Sequence, residues 1–158
     1  MTSIDIPFRL ASVNPINEYT EVRTSKTHGL GLFSKKIIPK GIILWHARSQ
    51  DILIISKEQF LILDSSFKSL ELNEIIENIL TYSFYVVKID ALVFCLDNSR
   101  FVNHSLDPNL GAPKDENEFC AVTLRDINPR EEITEDYSEY PTCFWLKKYR
   151  GLFDYCCW

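Results

Sequence analysis

Short apolar, β-branched runs separated by turn residues recur along most of this chain, a pattern that favours small sheets over helical layers. Ile42-Ile43-Leu44-Trp45, Ile52-Leu53-Ile54-Ile55, Phe84-Tyr85-Val86-Val87, Ala91 to Leu96 and Phe119 to Leu124 each have strand length and strand composition. Glu18 to Arg23 alternates well enough for an earlier strand, and Pro39-Lys40-Gly41 and Asn128-Pro129-Arg130 supply turns. One interval departs from this. Ser56-Lys57-Glu58-Gln59 fits a capping box, which predicts a helix from about Lys57 to Leu63. Leu72, Ile75, Ile76, Ile79 and Leu80 then recur at helical spacing and form one apolar face. A helical insert over about 56–81 set among many short strands describes a β-rich α+β domain.

The two ends are less regular. Residues 1–17 carry Pro7, Asn14 and Pro15 without sustained periodicity and read as an extended or loop-like lead-in. In the 141–158 segment, Pro141 is placed to start a helix, Lys147, Lys148 and Arg150 to sit in its last turn, and Gly151 to end it. Its aromatic side chains, with Tyr155 and Trp158, would either cover a ligand or pack into the core; the core is the expectation. The 158 residues are long enough for one domain with its own core, and 46% hydrophobic with 25% charged residues excludes disordered and collagen-like classes.

A net charge of −5 argues against a protein that holds nucleic acid by its phosphates, and agrees with a cationic partner. Glu131, Glu132, Glu135, Asp136 and Glu139 are either a solvated edge or the acidic surround of a site. The five cysteines are odd in number and lack Cys-x-x-Cys spacing, as expected for free thiols in a reducing compartment. Met1 to Leu10 lacks the pattern of a secretory signal, and no apolar run reaches membrane-spanning length. The expectation is an intracellular, soluble protein.

Arg100-Phe101-Val102-Asn103-His104-Ser105-Leu106-Asp107-Pro108-Asn109 ends the Ala91–Leu96 run in residues suited to turns and side-chain-to-backbone hydrogen bonds. Alone, it fits either a capped turn around a core histidine or the border of a site. Thr27-His28-Gly29-Leu30-Gly31-Leu32-Phe33-Ser34 lies upstream, where a lone Gly-x-Gly could be a simple hairpin turn, and Glu131-Glu132-Ile133-Thr134-Glu135-Asp136-Tyr137 lies downstream. In this order the three blocks resemble the SET-domain protein lysine methyltransferases, over about residues 18–140.

The resemblance implies small curved sheets in which the strand of the last block passes under a loop formed by the Asn-His-Ser block, a knot-like crossing. It implies S-adenosylmethionine as cofactor, with Gly29, Leu30 and Gly31 as main-chain contacts and Asn103 and His104 at its adenine and amino-acid ends. It implies Tyr137 as the residue that orients amine and methyl, and a lysine-bearing protein as substrate. Glu135 stands where family enzymes often carry Phe or Tyr, a position that limits how many methyls are added; a carboxylate there could instead hold the substrate ammonium or a water. Leu106 stands where many members place a zinc cysteine, so no structural zinc is expected. Arg130 stands for the usual turn glycine, and Arg100 reads as structural.

Chemically, the amine must lose its proton, since a free lysine titrates near 10.4 and deprotonation at neutral pH costs roughly 4 kcal/mol unless burial helps. A catalytically silent SET-like module binding a cationic partner is the alternative. A metal-dependent hydrolase using His28, His46 and His104 fits poorly, because their spacing matches no ligand motif.

Overall fold

A computed structural model describes residues 14–113 and 119–149 of the chain. Within them the strands are β1 Thr20–Thr24, β2 Leu30–Ser34, β3 Ile43–His46, β4 Ile52–Ser56, β5 Ser83–Val86, β6 Ala91–Cys95, β7 Asn103–His104, β8 Leu110–Gly111, β9 Cys120–Thr123 and β10 Glu132–Glu135. The α-helices are α1 Pro15–Tyr19, α2 Lys57–Ser69 and α3 Asn73–Thr81. Three small sheets result, with strand orders β1-β2-β10-β7, β3-β9-β8 and β4-β6-β5.

β6 explains its own sequence. It lies between β4 and β5, and its successive residues feed two cores: Val93 packs with Ile16, Leu32, Leu44 and Ile133, while Leu92 packs with Phe60, Leu80 and Leu146. A strand buried on both faces needs an unbroken apolar run, which is what Ala91–Cys95 is.

The insert begins as the sequence indicates. The Ser56 hydroxyl accepts from the Gln59 amide and the Gln59 side chain accepts from the Ser56 amide, the reciprocal pair of a capping box. α2 runs on past Leu63 to Ser69 because Phe67 packs against the second core and Lys68 reaches back to the buried Asp64 at 3.0 Å. In α3 the buried face is narrower than the pattern suggests. Ile76 and Leu80 are buried, while Leu72, which precedes the helix, and Ile75 remain exposed.

The ends differ from expectation. Pro15, with φ preset for a first turn, starts α1 where a loop was expected, and fully buried Ile16 anchors it, so β1 begins at Thr20 instead of Glu18. The expected carboxy-terminal helix is a 3-10 turn at Phe144–Tyr149, with the Trp145 and Tyr149 rings each 5.6 Å from the Phe60 ring. These two aromatics therefore pack in the second core, and Tyr155 and Trp158 lie outside the described residues. Cys95 and Cys143 are buried free thiols. No helix of the described residues is long and apolar enough to cross a membrane.

β10 is the keystone of the first sheet. It pairs antiparallel with β2, Ile133 opposite Leu32, and parallel with β7, Thr134 opposite Asn103 and Glu135 opposite His104. Beyond β7 the Ser105 amide donates to the Glu135 carbonyl at 2.9 Å, and four residues later the Asn109 amide donates to the Thr134 carbonyl at 3.2 Å. Buried Asn109 completes the grip: its Nδ2 donates to the Glu132 carbonyl at 2.7 Å and its Oδ1 accepts from the Thr134 amide at 3.0 Å. The 103–109 segment thus arches over β10 and is bonded to it at both ends, and the exposed Leu106 sits on the arch. Arg130, at the turn before β10, has φ 67, the left-handed backbone that glycine adopts most easily.

Candidate active site

The first of the three sequence blocks folds into the tight connection between β1 and β2, closed by the Ser25 amide donating to the Gly29 carbonyl at 2.9 Å. Gly29 has φ +45 and open space where a side chain would project. Gly31 is needed for a different reason. A Cβ there would stand 2.2 Å from Glu132 Oε1 and 2.9 Å from the Ser25 Cβ. Leu30, between them, is half exposed.

Asn103 ties this turn to the crossing. Its Nδ2 donates to the Leu30 carbonyl at 3.1 Å and to Glu132 Oε1 at 2.8 Å, with the His28 carbonyl at 3.3 Å. One buried carboxamide therefore joins the β1–β2 turn, β7 and β10. These bonds span 29 to 75 residues of sequence.

His104 and Tyr137 are neighbours through a local device of the last block. β10 ends at Glu135, the Asp136 carboxylate caps the amide of Ser138 at 2.9 Å, and the chain enters a 3-10 turn at Tyr137–Glu139. The Tyr137 amide donates to His104 Nδ1 at 3.1 Å, and the rings are 5.5 Å apart. Because Nδ1 accepts there, the ring proton sits on Nε2, and the 3.8 Å approach of Asp136 Oδ1 to Nδ1 is not an ion pair. The Tyr137 hydroxyl donates to the Val102 carbonyl. The Ser138 hydrogen bonds hold the Asp136 carboxyl below the usual carboxylate range.

A cavity of about 220 Å³ opens beside these residues, lined by Trp45, Tyr82, Phe84, Glu135, Tyr137 and Tyr140 among others. Glu135 ends β10 and Tyr137 opens the 3-10 turn beyond it, and both line this cavity. Tyr140, which sequence reasoning passed over, donates its hydroxyl to Glu135 Oε2 at 2.5 Å. Its ring is 5.9 Å from Phe84 and 6.1 Å from Tyr137. Burial raises the Glu135 carboxyl above the usual range, against the lowering effect of the Tyr140 hydrogen bond. Burial and the nearby Glu135 push the Tyr140 phenol well above its ordinary value.

Arg100 donates to the Leu96 carbonyl at 2.9 Å and lies 4.7 Å from the centre of the Phe101 ring. The three histidines do not meet. His28 is in the exposed turn, His104 is in the crossing, and His46 ends β3, where burial lowers its pKa. Among the described residues no cluster of three or more His, Cys, Asp or Glu side chains is arranged to hold a metal ion.

The family model of the SET domain matches residues 29–138, a span that takes in the first block from Gly29 onward and the whole of the other two. The chain belongs to the SET-domain family. Its fold is similar to the crystal structure of a Plasmodium falciparum protein described as a candidate histone methyltransferase, PFL0690c, with TM-score 0.51 and 21% identity, covering 80% of this chain and 96% of that one. It is also similar to a humanized mutant of the Chaetomium thermophilum Polycomb Repressive Complex 2 bound to the inhibitor GSK126, with TM-score 0.54 and 18% identity, covering 78% of this chain and 15% of that one. At these identities the likeness is one of fold, and the strand-rich α+β architecture is the SET fold. No curated protein sequence matches.

Proposed function

We propose that this SET-domain protein transfers a methyl group from S-adenosylmethionine to the side-chain amine of lysine in a protein. The observation that carries the reading is a chain of contacts: Asn103 is bonded to the Gly29–Gly31 turn, its neighbour His104 is bonded to Tyr137, and Tyr137 lines an aromatic cavity. The turn fits a ligand lying against main chain: Gly29 leaves the space of a side chain open, and its left-handed backbone turns the peptide groups of the β1–β2 connection. Gly29, Leu30, Gly31, Asn103 and His104 would hold the cofactor, which when bound supplies a methyl group on a sulfonium.

The protein's own part is positioning and desolvation. The walls of Trp45, Tyr82, Phe84 and Tyr140 exclude water and disfavour a charged amine, which brings the substrate toward its free base. Tyr137 would orient the amine; its hydroxyl is fixed on the Val102 carbonyl, so an oxygen lone pair can accept an N–H. The His104 bond to the Tyr137 amide sets where that tyrosine stands, and Nε2 is the side of His104 left to meet a ligand. The acidic Asp136 and Glu139 at the cavity suit a cationic segment as substrate.

The test compares wild type with Tyr137→Phe for transfer of radiolabel from methyl-labelled S-adenosylmethionine to lysine in lysate proteins. Label on lysine from wild type alone, with cofactor binding kept in the variant, is the expected result. No label from a wild type that binds the cofactor would favour a silent module that binds a cationic partner.

A further inference from the structure

Glu135 is an anomaly inside the cavity. Its carboxyl faces aromatic walls, and among the described residues it pairs with no cation: Arg100, on the same cavity, is taken up by the Leu96 carbonyl and the Phe101 ring. The groups around it are Tyr140 and Tyr137 from the turn after β10, Glu139 and Asp136 from the same turn, Cys95 from β6, Arg100 from the Asn98–Phe101 turn, and His104 opposite it on β7. Only Oε2 has a hydrogen bond, from Tyr140; among the described residues Oε1 has none. Glu135 is partly exposed as a residue, yet among aromatic walls a carboxylate without a counter-ion loses solvation, which favours entry of a cation or uptake of a proton.

We propose that Glu135, held by Tyr140, receives the substrate's ammonium at Oε1 and takes its proton before methyl transfer. This rests on the methyl-transfer reading above. In this step one N–H bond of the ammonium breaks, its electron pair stays on nitrogen as the lone pair that attacks the methyl, and an O–H bond forms on Glu135; nothing is oxidised or reduced. The same burial that makes the carboxylate costly makes its acid form a comfortable product. Tyr140 is a positioning residue: its hydroxyl fixes Oε2, while Glu135 as a whole lines the cavity. The proton leaves afterwards by the open side of the cavity, beside Asp136 and Glu139.

Two readouts test this. The first uses butylammonium, a stand-in for the lysine side chain, titrated calorimetrically into the cofactor-free protein. Glu135→Gln is expected to weaken binding at least about tenfold, while Tyr140→Phe, which keeps the carboxylate, weakens it less. Equal affinity of wild type and Glu135→Gln, with both folded by thermal melting, overturns the proposal whether or not methyl transfer is ever seen.

The second is the pH profile of kcat/KM on the methylated substrate. Without an internal proton acceptor only the free base is captured, so the Glu135→Gln rate should climb about tenfold per pH unit between pH 7 and 9. The wild-type slope should be distinctly shallower, and the two rates should converge toward pH 10. Parallel slopes overturn the proposal. A wild type that binds butylammonium through Glu135 but methylates nothing would instead defeat the methyl-transfer reading.

Discussion

Replacing Gly31 by alanine tests whether the site depends on one close approach. The new Cβ would fall 2.2 Å from Glu132 Oε1 and 2.9 Å from the Ser25 Cβ. Neither distance is tolerable, and the softer neighbour is the Glu132 carboxylate, which can swing away only by giving up the 2.8 Å bond from Asn103 Nδ2. A hydrogen bond to a charged group contributes about 1.5–3 kcal/mol, and the partial exposure of Glu132 favours the lower end. The Ser25 contact adds about 1 kcal/mol of crowding. Gly31→Ala should therefore cost about 2–3 kcal/mol, which urea unfolding reads as a lower midpoint at constant m-value and calorimetry as a fall of about 4–12 °C. The decisive arm is a cycle with Glu132→Ala. With the carboxylate gone, Gly31→Ala should cost only about 1 kcal/mol, the share left to Ser25. If alanine at 31 costs as much without Glu132 as with it, the close approach is not what requires glycine there.

Arg130→Gly should raise stability by about 0.5–1 kcal/mol in urea unfolding, because Arg130 holds a left-handed backbone at φ 67 that costs an L residue about 1–2 kcal/mol. The Glu135 carboxyl is raised in the folded protein, so the folded state binds its proton more tightly than the unfolded chain. Its contribution to stability is full below the usual glutamate range and is lost as pH rises through the raised value. Glu135→Gln should therefore gain stability relative to wild type between pH 4 and pH 8; a stability difference that stays constant over that range would show that the carboxyl is not perturbed.

Local chemistry was legible in the chain and long-range pairing was not. The Ser56 capping box could be read because both its partners lie within one turn, and Ala91–Cys95 because burial on two faces leaves a continuous apolar run. The far end of α2 was hidden, since Asp64-Ser65-Ser66 looks like a stop, and only the reach of Lys68 to Asp64 and the packing of Phe67 carry the helix through. α1 was hidden because five residues are too few for periodicity, although Pro15 was its signal. In the site, the motif blocks gave the residues, but the three acceptors of Asn103 lie up to 75 residues away and no spacing announces them. Tyr140 was missed for a related reason. The 3-10 turn after β10 folds it back onto Glu135, and nothing in Ser138-Glu139-Tyr140-Pro141 marks that reversal except the Asp136 cap.

The grip of residues 103–109 on β10 also constrains how the molecule can be made. β10 is the last strand in chain order, yet it lies between β2, about a hundred residues earlier, and β7. Until residues 132–135 have emerged during synthesis, the turn at Gly29 and the Asn-His-Ser block have no common strand to rest on. Contacts this distant close slowly, because the loop entropy is spent before the pairing is gained. The early part of the nascent chain, with β4, α2, α3, β5 and β6 neighbouring in sequence, can condense first. The tie between the Gly29 turn and β7, and the aromatic cavity beside Tyr137, would then come into being in one late step, when the last strand slides beneath its arch.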